Sequence, residues 1–300
     1  MSSKRERNDR KKAEKPSFKG RSDKPRERGR GPGPAASSLS DSRERPARSG
    51  ERSRADGDNF VWGRHPVLAA LANPARKGMG RLMATADRAE ELERDHLTHG
   101  HRIEIVDGPA LTRMLPPGAV HQGLVFKVQP LEGVALEDVA EPAPNPGEGG
   151  VIVMLDQLTD PQNVGAIFRS ALAFGARGIV VQDRHSPALA GALAKASAGA
   201  TERLACVRVT NLSRALERLA DLGWRAVGLD GSAEQTLEQA LDDRPTVLVM
   251  GSEGDGIRRL VAEHCDALAR IPMPGGFESL NVSNAAAISL YECARAQRRG

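Results

Sequence analysis

Val151 to Asp156 reads VIVMLD, a continuous apolar run closed by a carboxylate, and the fold follows from it. Strands that show water one face alternate apolar and polar residues; an unbroken run belongs to a strand covered on both faces, as in parallel sheets. After it, helical and strand patterns alternate. The reading gives helix 163–174, strand GIVVQD, helix 188–197, strand LACVRV, helix 212–221 and strand WRAVGLD, then strand TVLVMG, helix 257–265, strand ALARIPM and a final helix. Such alternation predicts an α/β fold, a parallel sheet with helices on both faces. Ligands of such sheets gather at the carboxyl ends of the strands. Three polar, glycine-bearing loops fall there: DQLTDPQNVG after the first strand, GSEGDG after the fifth and PGGFESLN after the sixth.

Upstream, residues 59–130 form a smaller α/β unit. GRHPVLAALA has apolar residues at helical spacing, 81–85, 102–106 and 123–128 read as strands, and 88–99 and 109–115 as helices. EPAPNPGEGG, with Pro, Gly and charge but no period, marks a linker over 131–149 before the larger domain, 150–300. Residues 1–58 hold almost no large apolar side chains and are expected to be a disordered basic tail. They carry 18 Lys and Arg against 10 Asp and Glu, and the remaining 25 and 29 leave residues 59–300 at −4. The basic balance is thus a property of the tail, which suits polyanions without reading sequence and serves equally as a solubilising arm.

Cys206, Cys265 and Cys293 have neither CxxC spacing nor an even count, so reduced thiols, no metal site and a cytoplasmic protein are expected. No apolar run reaches the roughly 20 residues of a membrane span. A nucleotide-dependent oxidoreductase lacks its fingerprint, since no GxGxxG follows VIVMLD; GxxxxGK[ST] is missing too, which excludes a P-loop NTPase. Glycines in GSEGDG instead let bare backbone approach a flat ligand.

DPQNVGAIFRSALAFG (160–175), VMGSEGDGI (249–257) and IPMPGGFESLNVSNAAAISLYE (271–292) resemble, in order and spacing, the three motifs of the SpoU/TrmH family of RNA ribose 2′-O-methyltransferases. WGRHPVLAAL and HQGLVF resemble the substrate-binding domain of the bacterial 23S rRNA guanosine 2′-O-methyltransferases of the RlmB type. The resemblance implies a trefoil knot at the C-terminal end of the sheet, a homodimer with active sites near the subunit interface, S-adenosyl-L-methionine as methyl donor and RNA, not DNA or a membrane, as partner. It places cofactor contacts on Gly251, Ile271 and Leu280, with Met273 beside them, and catalysis on Asn163, Arg169, Glu253, Ser279 and Asn281.

In the family Arg169 would activate the 2′-hydroxyl. A guanidinium is too weak an acid to give up its proton readily, so holding the neighbouring phosphate and stabilising the developing alkoxide is the role that suits it. Glu253 would orient Arg169 or its own loop, and Ser279 and Asn281 would shape the pocket. Taken singly, Ser279, Asn281 and Ser283 are common helix caps, Arg169 a surface cation and Glu253 a turn carboxylate. His65 and His121 read as residues of the small domain. Asn284 stands where many relatives carry Val, and no role attaches to it. A tRNA methyltransferase and a non-catalytic ribosome-assembly factor are the competing readings.

Overall fold

The computed structural model describes residues 59–76, 80–129, 131–141, 150–275 and 279–297. The expected tail, the second half of the expected linker and Glu278 lie outside the described residues.

The small domain runs β1 (Phe60–Trp62), α1 (Arg64–Ala72), β2 (Arg81–Ala84), α2 (Ala86–Arg94), β3 (Ile103–Ile105), α3 (Gly108–Met114) and β4 (Leu124–Lys127). Its strands lie in the order β1-β4-β2-β3, with β4 antiparallel to both neighbours and β2 parallel to β3. Alternation sorts the side chains: Val61, Leu82, Leu124 and Phe126 pack beneath Val67 and Leu71 of α1 and Leu92 of α2, while Phe60, Trp62, Met83 and Val125 face Leu111 and Leu115. β1 was not expected, because a three-residue strand shows no period of its own.

The second domain runs α4 (Leu136–Ala140), β5 (Val151–Leu155), α5 (Pro161–Ala173), β6 (Gly178–Gln182), α6 (Gly191–Ala196), β7 (Ala205–Val209), α7 (Leu212–Asp221), β8 (Arg225–Leu229), α8 (Leu237–Ala240), β9 (Thr246–Met250), α9 (Arg259–Ala262), β10 (Ala267–Ala269) and α10 (Val282–Gln297). Among the described residues its strands form one sheet, β10-β8-β9-β5-β6-β7, parallel throughout. β5, β6 and β9 are buried along their whole length, which is why their sequences are unbroken apolar runs. On one face Val153, Leu155, Ile179 and Leu248 meet Ile167 and Phe168 of α5 and Ala286 and Leu290 of α10; on the other Ile152, Met154, Val180 and Val249 meet Leu212, Leu216 and Leu219 of α7. Each fully buried side chain of this kind contributes about 1.5–3 kcal/mol.

Residues 134–140 of the expected linker are built into the fold. Val134 forms a parallel bridge to Val207 at the sheet edge, and α4 buries Val139 and Ala140 against the α7 face. These few apolar residues dock because the edge strand offers them unpaired backbone groups and a hydrophobic floor.

The two domains are clamped together. Arg76 donates Nε to Glu202 Oε2 at 2.8 Å and a terminal nitrogen to Glu202 Oε1 at 2.9 Å, Asn73 Nδ2 adds 2.8 Å to the same carboxylate, and Arg76 also reaches the Gln129 carbonyl at 2.7 Å. The two charged side chains are 4% and 1% exposed, so the fork is desolvated on both sides. Beside it Ala194 of α6 enters the core of the small domain. The three cysteines are free; burial pushes the thiols of Cys206 up to about 11 and of Cys265 and Cys293 up to about 12, so they stay protonated at neutral pH. Among the described residues no helix is long and apolar enough to cross a membrane.

Arg76→Met is expected to destabilise the protein by about 3–5 kcal/mol, because Glu202 is left charged and buried without its partner. In urea unfolding the double variant Arg76→Met/Glu202→Met should recover much of that loss, a pattern that a purely steric role for Arg76 would not give.

Candidate active site at the carboxyl rim of the sheet

All strands of the larger sheet end on one rim, and the loops after β5, β9 and β10 meet there. The first loop leaves β5 through Asp156 and Gln157, the latter held in the left-handed region at φ 58°. Asp156 is fully buried and neutralised by Arg258, which donates Nε and its backbone N–H at 2.8 and 2.9 Å. The pair ties the loop after β5 to the far end of the loop after β9. Asp160 then caps α5, its carboxylate accepting from the backbone of Gln162 at 3.1 Å and of Asn163 at 3.3 Å, with Pro161 at the first helical position. Asn163 is thereby fixed in the first turn of a rigid helix.

The second loop is a closed ring. Ser252 and Gly256 exchange two backbone hydrogen bonds of 3.1 Å, and Gly254 and Gly256 take positive φ angles of 99° and 68°. A Cβ on Gly251 would sit 1.9 Å from the carbonyl carbon of Gly256, so only glycine fits where the ring closes. This geometry presents Glu253 toward the other two loops.

Glu253 Oε1 accepts from Asn163 Nδ2 at 3.2 Å, from Asn281 Nδ2 at 2.9 Å and from the backbone of Val282 at 3.3 Å. Asn281 Nδ2 also donates to Asn163 Oδ1 at 2.9 Å, while its own Oδ1 accepts from the backbone and hydroxyl of Ser283 at 3.0 and 2.5 Å. Asn281 therefore caps the last helix and joins the network at once. Three of the five residues expected to act in catalysis, Asn163, Glu253 and Asn281, are in direct contact.

Beside this network opens a cleft of about 560 Å³. Gly251, Ile271, Met273 and Leu280, the four expected ligand contacts, line it together with Glu253 and Ser279. Leu229, Asp230, Gly231 and Ser252 line it as well, and sequence reading missed them. The signal for the first three was the glycine after WRAVGLD, at the end of a strand next to the rim, and Ser252 stands in the GSEGDG loop already singled out. Ser252 Oγ is shielded from solvent and has no hydrogen-bond partner among the described residues, so the cleft wall holds a polar atom awaiting one.

Arg169 stands apart. It is exposed on α5, makes no hydrogen bond or ion pair among the described residues and is not part of the cleft wall. Asn284 is exposed and bonds the Asn281 carbonyl through its backbone alone. His121 serves the small domain, its Nδ1 accepting from the Gly123 N–H at 3.0 Å.

The sequence profile of the SpoU rRNA methylase family matches residues 150–291, and that of the RNA 2′-O ribose methyltransferase substrate-binding domain matches residues 60–134. The chain is 38% identical over 267 residues to a protein of Mycobacterium sp. (strain KMS) named as an uncharacterized tRNA/rRNA methyltransferase, covering 88% of this chain and 83% of the relative. Among solved structures it resembles the SpoU methyltransferase AviRb of Streptomyces viridochromogenes, crystallised with AdoMet, at 28% identity and a TM-score of 0.65, over 83% of this chain and 94% of that one. An AdoMet-bound rRNA methyltransferase of Sinorhizobium meliloti is similar at 26% identity and a TM-score of 0.62, over 79% and 86%.

Gly251→Ala should break the ring at the cleft wall. The added methyl meets backbone that cannot swing aside, so a stability loss of about 1–3 kcal/mol in urea unfolding is expected, with a larger effect on any ligand the cleft holds. An unchanged midpoint would mean that the ring opens freely.

Proposed function

This chain belongs to the SpoU rRNA methylase family, and we propose that it transfers a methyl group from S-adenosylmethionine to the ribose 2′-hydroxyl of a guanosine in 23S rRNA. The observation that carries the reading is the meeting of three loops on Glu253 beside a cleft of about 560 Å³, a volume within the roughly 300–1,000 Å³ usual for such ligands. The cleft's chemistry suits this cofactor. Leu229, Ile271 and Leu280 offer apolar surface for a purine, Gly251 gives close access to backbone groups, Ser252 has a hydroxyl in need of a partner, and Asp230, Glu253 and Asp255 place carboxylates where a cation must sit.

When bound, S-adenosylmethionine supplies a methyl group activated by its positively charged sulfur. The protein's own task is to align a ribose oxygen with that methyl and ease the loss of its proton. Glu253 holds Asn163 and Asn281 against each other, which fixes the wall between cleft and rim. Ser279 faces the cleft from the third loop. The guanidinium of Arg169 would grip the phosphate beside the target ribose and stabilise the developing alkoxide.

Because Arg169 lies outside its own cleft, the reading includes a homodimer in which this arginine completes the partner's site. Phe174 at the end of α5 and Ile288 and Tyr291 on α10 are large apolar side chains left exposed, with the Phe174 and Tyr291 rings edge to face at 6.1 Å. The trefoil threading implied by resemblance belongs to the same proposal. An RNA substrate is supported by the substrate-binding domain matched at 60–134, and rRNA as opposed to tRNA is part of the proposal.

Purified protein, labelled S-adenosylmethionine and 23S rRNA from cells lacking this protein should give label on a single guanosine ribose; label on tRNA alone would move the assignment, and no label would defeat it. Arg169→Ala should lower turnover by about 10²–10³-fold while calorimetry shows cofactor affinity retained, whereas a non-catalytic assembly factor would keep its function. Tyr291→Glu should halve the mass seen in sedimentation; an unaltered mass would place the subunit contact elsewhere.

A further inference from the structure

We propose that Lys195 is a phosphate-binding residue at the seam between the two domains, holding a backbone phosphate of the RNA substrate. The inference rests on the RNA-methyltransferase reading for its ligand, but its observations are separate from the cleft and the rim.

Lys195 lies in the last turn of α6, the helix on which the small domain docks, and its side chain is half-buried in the seam. The small domain makes room for the ammonium group: a Cβ on Gly63 would lie 2.2 Å from Lys195 Nζ, and Gly63 sits at φ 89°, where a side chain is strained in any case. Yet the only partner offered among the described residues is neutral and distant. Lys195 Nζ donates to Gln122 Oε1 at 3.4 Å, and that oxygen already accepts from the Arg64 backbone at 3.0 Å. No carboxylate pairs with Lys195 among the described residues. A half-buried cation without a counter-ion is costly unless something else supplies the negative charge.

The neighbouring charges point the same way. Glu91 is shared by Arg64, at 3.0 and 3.1 Å, and by Arg88. Arg88 Nε also donates at 3.3 Å to the carbonyl of Gln122, a residue held at the left-handed φ of 56°. Lys195, Arg64 and Arg88 thus all bond to Gln122, while the carboxylate of Glu91 is taken by the two arginines. Burial holds the Lys195 ammonium below its usual range, the sign of a site whose protein surroundings lack the anion. An adhesive role does not account for it, because the seam is already fastened by the Arg76–Glu202 fork and by Ala194 in the small domain's core.

The position also suits a substrate crossing from the small domain to the rim. α6 packs on α5 so tightly that a Cβ on Gly165 would lie 2.5 Å from the Ala196 side chain, and α5 carries Asn163 in its first turn. A phosphate held by Lys195 would thus be tied, through two rigid helices in contact, to the helix that supports the rim network.

The test measures binding of polyuridylate and of 23S rRNA between 50 and 200 mM KCl, without cofactor, for the wild type, Lys195→Met and Lys195→Arg. Methionine keeps most of the apolar stem and loses the charge. Lys195→Met should weaken binding of both RNAs about 5–20-fold at the lowest salt and flatten the slope of log K against log salt by about 0.7–0.9, while Lys195→Arg keeps the wild-type slope. Methylation by Lys195→Met should show a raised KM for RNA with kcat retained. An unchanged slope in Lys195→Met overturns the proposal, whether or not its unfolding midpoint moves, since a packing residue alters stability and not counter-ion release. If the wild type methylates nothing while the slope still falls, the functional reading fails and the phosphate site stands.

Discussion

A single carboxylate oxygen, Glu253 Oε1, takes hydrogen bonds from two asparagine side chains and from the first backbone amide of the last helix. Each donor arrives from a different part of the chain, and hydrogen bonds to a charged acceptor are worth about 1.5–3 kcal/mol apiece, less where water competes as it does at this rim. The arrangement demands that β5, β9 and β10 all point the same way and end together, which a parallel sheet supplies and a meander would not. It demands a glycine ring to carry the carboxylate, a capped helix to carry Asn163 and a tight turn to carry Asn281. Cleft, rim and helix packing are conditions for that one oxygen to be satisfied.

Most of the fold was legible in the sequence because burial writes itself into composition. The runs VIVML, GIVVQ and TVLVM are strands with both faces covered, and their burial is complete. Ends were less legible. The α5 helix begins at Pro161, two residues before its expected start, because the Asp160 carboxylate caps the amides of Gln162 and Asn163. The expected helix at 257–265 is helical only over Arg259–Ala262, since Arg258 is held in an extended conformation while its guanidinium and backbone both serve Asp156. β1, α4 and α8 are three to five residues long, too short for any period to show.

The site was legible in a different sense. Nothing local in DPQNVG, GSEGDG or PGGFESLN says that Asn163 touches Glu253 or that Asn281 touches both; those loops came together as a set through family resemblance and strand order. The ion pairs that hold the framework, Asp156 with Arg258 and Arg76 with Glu202, join residues 102 and 126 positions apart and left no mark in the sequence. Charge gave a further lesson. Residues 59–300 are acidic as a whole, so attraction to a polyanion must come from places where cations outnumber their partners, and the seam around Arg64, Arg88 and Lys195 is such a place.

The bonds that unite the rim bridge 90 and 118 positions of chain. Contacts of that range form late, after the loop entropy between them has been spent. An intermediate that lacks the last strand and helix owns at most the Asn163–Glu253 bond; Asn281 joins the two only when β10 and α10 are seated. Competence thus arrives in one step with completion of the native state, and an immature chain is silent toward RNA chemistry.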